Sequence, residues 1–141
     1  MAATQDAGVS ITVHLPVRLD EIDYLGIVHS SNYLKYMEHA RVKLLEQQSM
    51  DLLAWVKKGI RAVVVNDTIN YHHPARYGDV LAITCRVEEI GERATRLGYS
   101  IMEQRTEREI LQAATTVACI DPNGRPTSIP VEMREALSRP V

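Results

Sequence analysis

Phenylalanine is absent from this 141-residue chain, and nothing follows from that. The other shortages exclude more. Only two cysteines occur, Cys85 and Cys119. They stand far apart inside apolar runs, so buried free thiols in a reducing cytoplasm are expected rather than a disulfide scaffold. Lysine and arginine number 16 against 18 acids, for a net charge of -2. That leaves no electrostatic case for nucleic acid or an anionic membrane surface as partner. No apolar run reaches the ~20 residues needed to span a bilayer. The opening stretch, MAATQDAGVS, has no basic segment followed by an apolar block, so no signal peptide is expected.

Chemical signatures are also missing. There is no His-Glu-x-x-His and no Cys-x-x-Cys, which argues against a metal site. His72 and His73 are adjacent on an expected strand, so they are expected on opposite faces and not as a metal pair. No Gly-x-Ser-x-Gly elbow suggests a serine hydrolase, and no glycine-rich loop follows a strand in the nucleotide-binding manner. No cofactor is expected. Repeats, low-complexity tracts and linkers are lacking. The chain is expected to form one domain, 1–141, with residues 1–8 flexible.

What is there reads as helix and sheet in separate blocks. Residues 9–19 alternate, with Val9, Ile11, Val13, Leu15, Val17 and Leu19 on one face of a half-buried strand. Pro16 marks an edge or an irregularity. After Ser30 or Ser31, either a good N-cap, Tyr33, Tyr36, Met37, Ala40 and Leu44 recur at helical spacing to about Gln48. Residues 51–59 read as a short helix stopped by Gly59. Strands follow at 62–74, 80–90, 95–106 and 111–121, joined by short turns that imply antiparallel pairing. A proline near its start introduces a short terminal helix. The order predicts an α+β fold, one long helix on one face of an antiparallel sheet of about five strands. Exposed sheet edges would be relieved by pairing in a homodimer or homotetramer.

Between the first strand and the long helix stands DEIDYLGIVHSSNYLKYMEHAR, residues 20–41. Its Asp23, Gly26, Ile27, Val28, Asn32 and Tyr33 resemble the motif of the 4-hydroxybenzoyl-CoA thioesterase-like branch of the hotdog-fold acyl thioesterases. Pro74, Ala75, Gly78 and Asp79 resemble that family's strand-to-turn block, and DPNGRPTSIP its closing turn. The three blocks stand in the right order, and the resemblance extends over nearly the whole chain. Many members carry a histidine or tyrosine seven residues after the aspartate. Here that position is Ser30, and the histidine is one earlier, His29.

The resemblance implies hydrolysis of an acyl-CoA or acyl-carrier-protein thioester. Such chemistry needs a carboxylate to attack or to activate water, and donors for the oxyanion. The resemblance points to Asp23 for the first; composition alone would favour a loop or capping acid there. The start of a helix offers the second, so His29, Ser30 and Ser31 are oxyanion or substrate-contact candidates. His29 could equally hold the loop. Gly26 would allow a backbone shape or close approach, and Asn32 would cap the helix or bind the loop. Glu21 could act on Asp23 by like-charge proximity, with Asp20 solvated. Glu38 and Arg41 read as a surface pair at i, i+3; were they to line an acyl tunnel or interface, Arg41 would be the functional one. Two other activities stay open: a hotdog dehydratase or hydratase, and a non-catalytic acyl-CoA binding protein.

Overall fold

The computed structural model describes residues 8–140. The expectation of flexibility at 1–8 therefore lies outside the described residues, except at Gly8. The elements run β1 (Ser10–Pro16), α1 (Ser31–Gln47), α2 (Leu52–Lys57), β2 (Arg61–Tyr71), β3 (Val80–Ile90), β4 (Ala94–Glu103), β5 (Glu109–Ile120) and α3 (Val131–Ser138). The five strands form one sheet in the order β1-β3-β4-β5-β2, with every neighbouring pair antiparallel.

Alternation sets the buried face. On β3, Leu81, Ile83, Cys85 and Val87 are all sealed from solvent, as are Leu97, Tyr99 and Ile101 on β4. The apolar stripe of α1 packs onto that face through Tyr33, Tyr36, Met37, Ala40 and Leu44. α1 lies over β1 and β3. This is the α+β hotdog architecture, one long helix wrapped by the sheet.

Pro16 closes β1, an edge strand, where a missing N–H leaves no ladder bond unmade. Leu19 departs from its expected face. The chain leaves the sheet after Pro16 and forms a short 3-10 turn at Leu19–Glu21, where Leu19 is 70% exposed. At the far end, Gln48 donates to the carbonyls of Ala136 and Arg139, at 2.7 and 2.6 Å. It thereby satisfies carbonyls that the end of α3 leaves open. α2 is capped by Asp51, whose carboxylate accepts the Leu53 and Ala54 N–H groups.

Candidate active site

The segment from the 3-10 turn to α1 folds back on itself as a small hairpin. Asp23 N–H donates to the Ile27 carbonyl (2.9 Å), and Gly26 N–H to the Asp23 carbonyl (3.0 Å). Gly26 has φ +80°, with nothing near the position a Cβ would take. Its role is thus the backbone shape, not a close approach. This turn presents Asp23 half-buried. One carboxylate oxygen accepts the Leu25 N–H at 2.8 Å; the other has no hydrogen bond to any described residue.

Glu21 is the clasp between the turn and α1. Its carboxylate accepts the Arg18 N–H and the Tyr36 hydroxyl, both at 2.8 Å. Its carbonyl accepts the His29 N–H (2.9 Å) and the Asn32 side-chain amide (3.1 Å). Burial, and then the Glu21 hydrogen bond, push the Tyr36 hydroxyl well above its ordinary range. Asn32 therefore binds the loop. Asp20 pairs with Arg18 at 3.2 Å in solvent.

The helix start differs from the expected serine cap. Ser30 occupies the cap position, but its backbone is already helical (φ -54°, ψ -30°) and its side chain makes no cap bond. An N-cap hydroxyl needs an extended backbone to reach back over the first turn. The His29 ring does the capping instead. Its Nδ1 accepts the Ser31 N–H at 3.2 Å and lies 2.9 Å from the Ser31 hydroxyl. A backbone N–H only donates, so Nδ1 carries the lone pair and the neutral ring bears its proton on Nε2. Of the three candidate amides, His29 and Ser31 are thus engaged, while the Ser30 N–H has no acceptor among the described residues.

A cleft of about 550 Å³ is lined by Asp23, His29, Ser30 and Tyr33, from the turn and the start of α1, and by Tyr71, His72, His73 and Pro74, from the end of β2 and just beyond it. The second wall was not legible as part of the site. His72 and His73 were expected on opposite faces, yet both reach the cleft, because β2 has lost its alternation where it ends. Arg41 does not line this cleft. It borders a second groove of about 380 Å³ with Leu45, Met50 and Leu52. There it donates to the buried Tyr99 hydroxyl at 3.0 Å and lies 3.8 Å from Glu38, with only 16% of its side chain exposed. It is no ordinary surface residue. Among the described residues, no three His, Cys, Asp or Glu side chains are placed to hold a metal ion.

Comparison with known proteins follows the same outline. The profile of the thioesterase-like superfamily matches residues 17–137. The long-chain acyl-CoA thioesterase FadM of Escherichia coli is 30% identical over 129 residues, covering 90% of this chain and 96% of the relative. The acyl-CoA thioester hydrolase YbgC of Escherichia coli is 29% identical over 119 residues, covering 82% and 87%. In fold, a 1,4-dihydroxy-2-naphthoyl-CoA thioesterase from Synechocystis superimposes with a TM-score of 0.85 at 20% identity, over 91% of this chain and 95% of that one.

Proposed function

This chain belongs to the thioesterase-like superfamily and is a thioester hydrolase; on that premise we propose that it cleaves acyl-CoA thioesters in the Asp23 cleft, with Asp23 as nucleophile or as general base on water. One observation carries the reading. Asp23, one carboxylate oxygen of which has no hydrogen bond to any described residue, and Ser30, whose N–H has no acceptor among the described residues, line the same cleft at the start of a 17-residue helix. The carboxylate supplies the attack on the carbonyl carbon. The Ser30 N–H, backed by the positive end of α1, receives the developing oxyanion. His29 and Ser31 support that donor by fixing the first turn, and Glu21 and Asn32 lock the Asp23 turn against the helix.

Acyl-carrier-protein thioesters belong to the proposal, because they bear the same pantetheine arm. So does a homodimer or homotetramer: edge strand β2 exposes Val64 and Val65 at 44% and 58%. A cytoplasmic location rests on Cys85 and Cys119, both buried free thiols. No described helix is long and apolar enough to cross a membrane.

A panel of acyl-CoA and acyl-carrier thioesters of varied chain length, read by thiol release, tests the reading. Release from at least one acyl-CoA is expected. Tight binding without release would favour a non-catalytic acyl-CoA binder, and water addition to an enoyl-CoA without release would favour a hydratase.

A further inference from the structure

The cleft wall at the end of β2 is built by a bulge. The N–H groups of His72 and His73 both donate to the Ile110 carbonyl, at 2.8 and 3.2 Å. Two residues facing one across an antiparallel pair break the alternation and re-aim neighbouring side chains. Both His72 and His73 line the cleft. A single residue of β5 holds the two rings. The Glu109 carboxylate meets His72 Nε2 at 3.1 Å, and the Glu109 carbonyl meets His73 Nδ1 at 2.8 Å. A carbonyl and an ionised carboxylate only accept, so each ring donates the N–H on that side. The remaining nitrogens, His72 Nδ1 and His73 Nε2, bond no described residue.

The wall is also fixed to the Asp23 turn. Val28 N–H donates to the Ala75 carbonyl (2.9 Å), and Ala75 N–H to the Tyr33 hydroxyl (3.1 Å). Arg108 holds the Pro74 carbonyl at 3.2 Å. Among the described residues, no lysine or arginine lines the cleft. Its acid–base groups are Asp23, the tyrosines Tyr24, Tyr33 and Tyr71, and three histidines. His29 Nδ1 is committed to the helix cap, and burial pushes the Tyr33 hydroxyl up. A tyrosine hydroxyl is a weaker acid than a thiol, and His29 could become an imidazolium only by giving up its Nδ1 cap bond, whereas His72 Nδ1 and His73 Nε2 can take a proton without breaking one. The pair held by Glu109 is therefore the proton source suited to a thiolate.

We propose that His72 and His73, clamped by Glu109, deliver the proton that the departing thiolate takes up during thioester cleavage. The proposal rests on the reading of this cleft as the thioester site. As oxygen bonds to the carbonyl carbon, the C–S bond breaks and its electron pair leaves on sulfur. An imidazolium of the pair gives its N–H proton to that sulfur, forming the thiol and a neutral ring. An imidazolium is a stronger acid than an alkyl thiol, so the transfer runs downhill. If Asp23 attacks directly, the neutral ring then takes a proton from the water that opens the acyl-aspartyl anhydride. If Asp23 activates water, the ring takes back the proton Asp23 removed. Either way the sum is thioester plus water to carboxylic acid plus thiol, with Asp23 and the imidazolium restored.

The test varies the leaving group. His72→Gln, His73→Gln, the double variant and Glu109→Gln are assayed on an acyl-CoA and on the same acyl group carried by 4-nitrothiophenol, whose thiolate departs unaided. The double variant is expected to lose about 10²-fold in kcat on the acyl-CoA, and to stay within about 2-fold of wild type on the aryl thioester. Glu109→Gln is expected to show the same pattern, more weakly; it keeps both rings and carries the test if the double variant does not fold. Equal losses on both substrates, or no loss on either, would overturn the proposal. Asp23→Asn separates the two readings. If it is inactive on both substrates while the histidine variants match wild type, only the histidine role falls. If it retains wild-type rates on both, the site itself is misassigned.

Discussion

His29 is a residue whose two chemical ends do different work. Its Nδ1 caps α1 through the Ser31 N–H, and the residue also lines the cleft. Replacing it with alanine frees a backbone donor at the helix start. His29→Ala is expected to cost about 1 kcal/mol, the usual worth of a side-chain cap, read as a drop in Tm of roughly 3–5 °C. The sequence offered both a loop-holding and a substrate-contact role for this ring. It could not show that Ser30 adopts a helical backbone, which is what passes the cap to the histidine. Cys85 was easier to read. An alternating run on a central strand implies burial, and the structure seals the thiol completely. Burial pushes it up to about 12, so little thiolate exists near pH 8. Native protein is expected to resist iodoacetamide at Cys85 and to be alkylated only when unfolded; rapid modification of the folded chain would contradict that. Asp23 was legible only through the motif around it, because loop acids are mostly solvated.

Among the elements, the start of α1 is the one the proposed mechanism draws on most. At that start the Ser30 N–H has no acceptor among the described residues. Ser30→Pro removes that N–H while matching the residue's φ of -54°. A loss of about 10²–10³-fold in kcat is expected, as for other oxyanion donors, with helix content by circular dichroism retained. Unchanged kcat would move the oxyanion elsewhere. Helix and strands were legible because 3.6- and 2-residue periods are written in their apolar positions. The end of β2 was not. Alternation predicted His72 and His73 on opposite faces, whereas both N–H groups share the Ile110 carbonyl. A bulge is a choice of hydrogen-bond register across two strands distant in sequence, and no local pattern encodes it.

At the scale of the molecule, α1 covers the β1 and β3 side of the sheet and leaves β2 as an exposed edge. That edge carries Val64 and Val65 in solvent. Sedimentation is expected to show a dimer or tetramer, with Val65→Lys shifting it toward monomer. A monomeric wild type would leave the edge unexplained. The overall architecture was legible from element order alone, since segregated helix and hairpin strands admit few layer arrangements. Which walls meet around Asp23 was not, because the second wall comes from a segment some fifty residues later along the chain. In the proposed mechanism one carboxylate of this cleft, Asp23, performs the hydrolysis. Its most direct test is thiol release from an acyl-CoA turned over by wild type, with folded Asp23→Asn assayed beside it. In Asp23→Asn, kcat is expected to fall by at least about 10²-fold, with Tm close to that of wild type. Wild-type kcat in Asp23→Asn would contradict it.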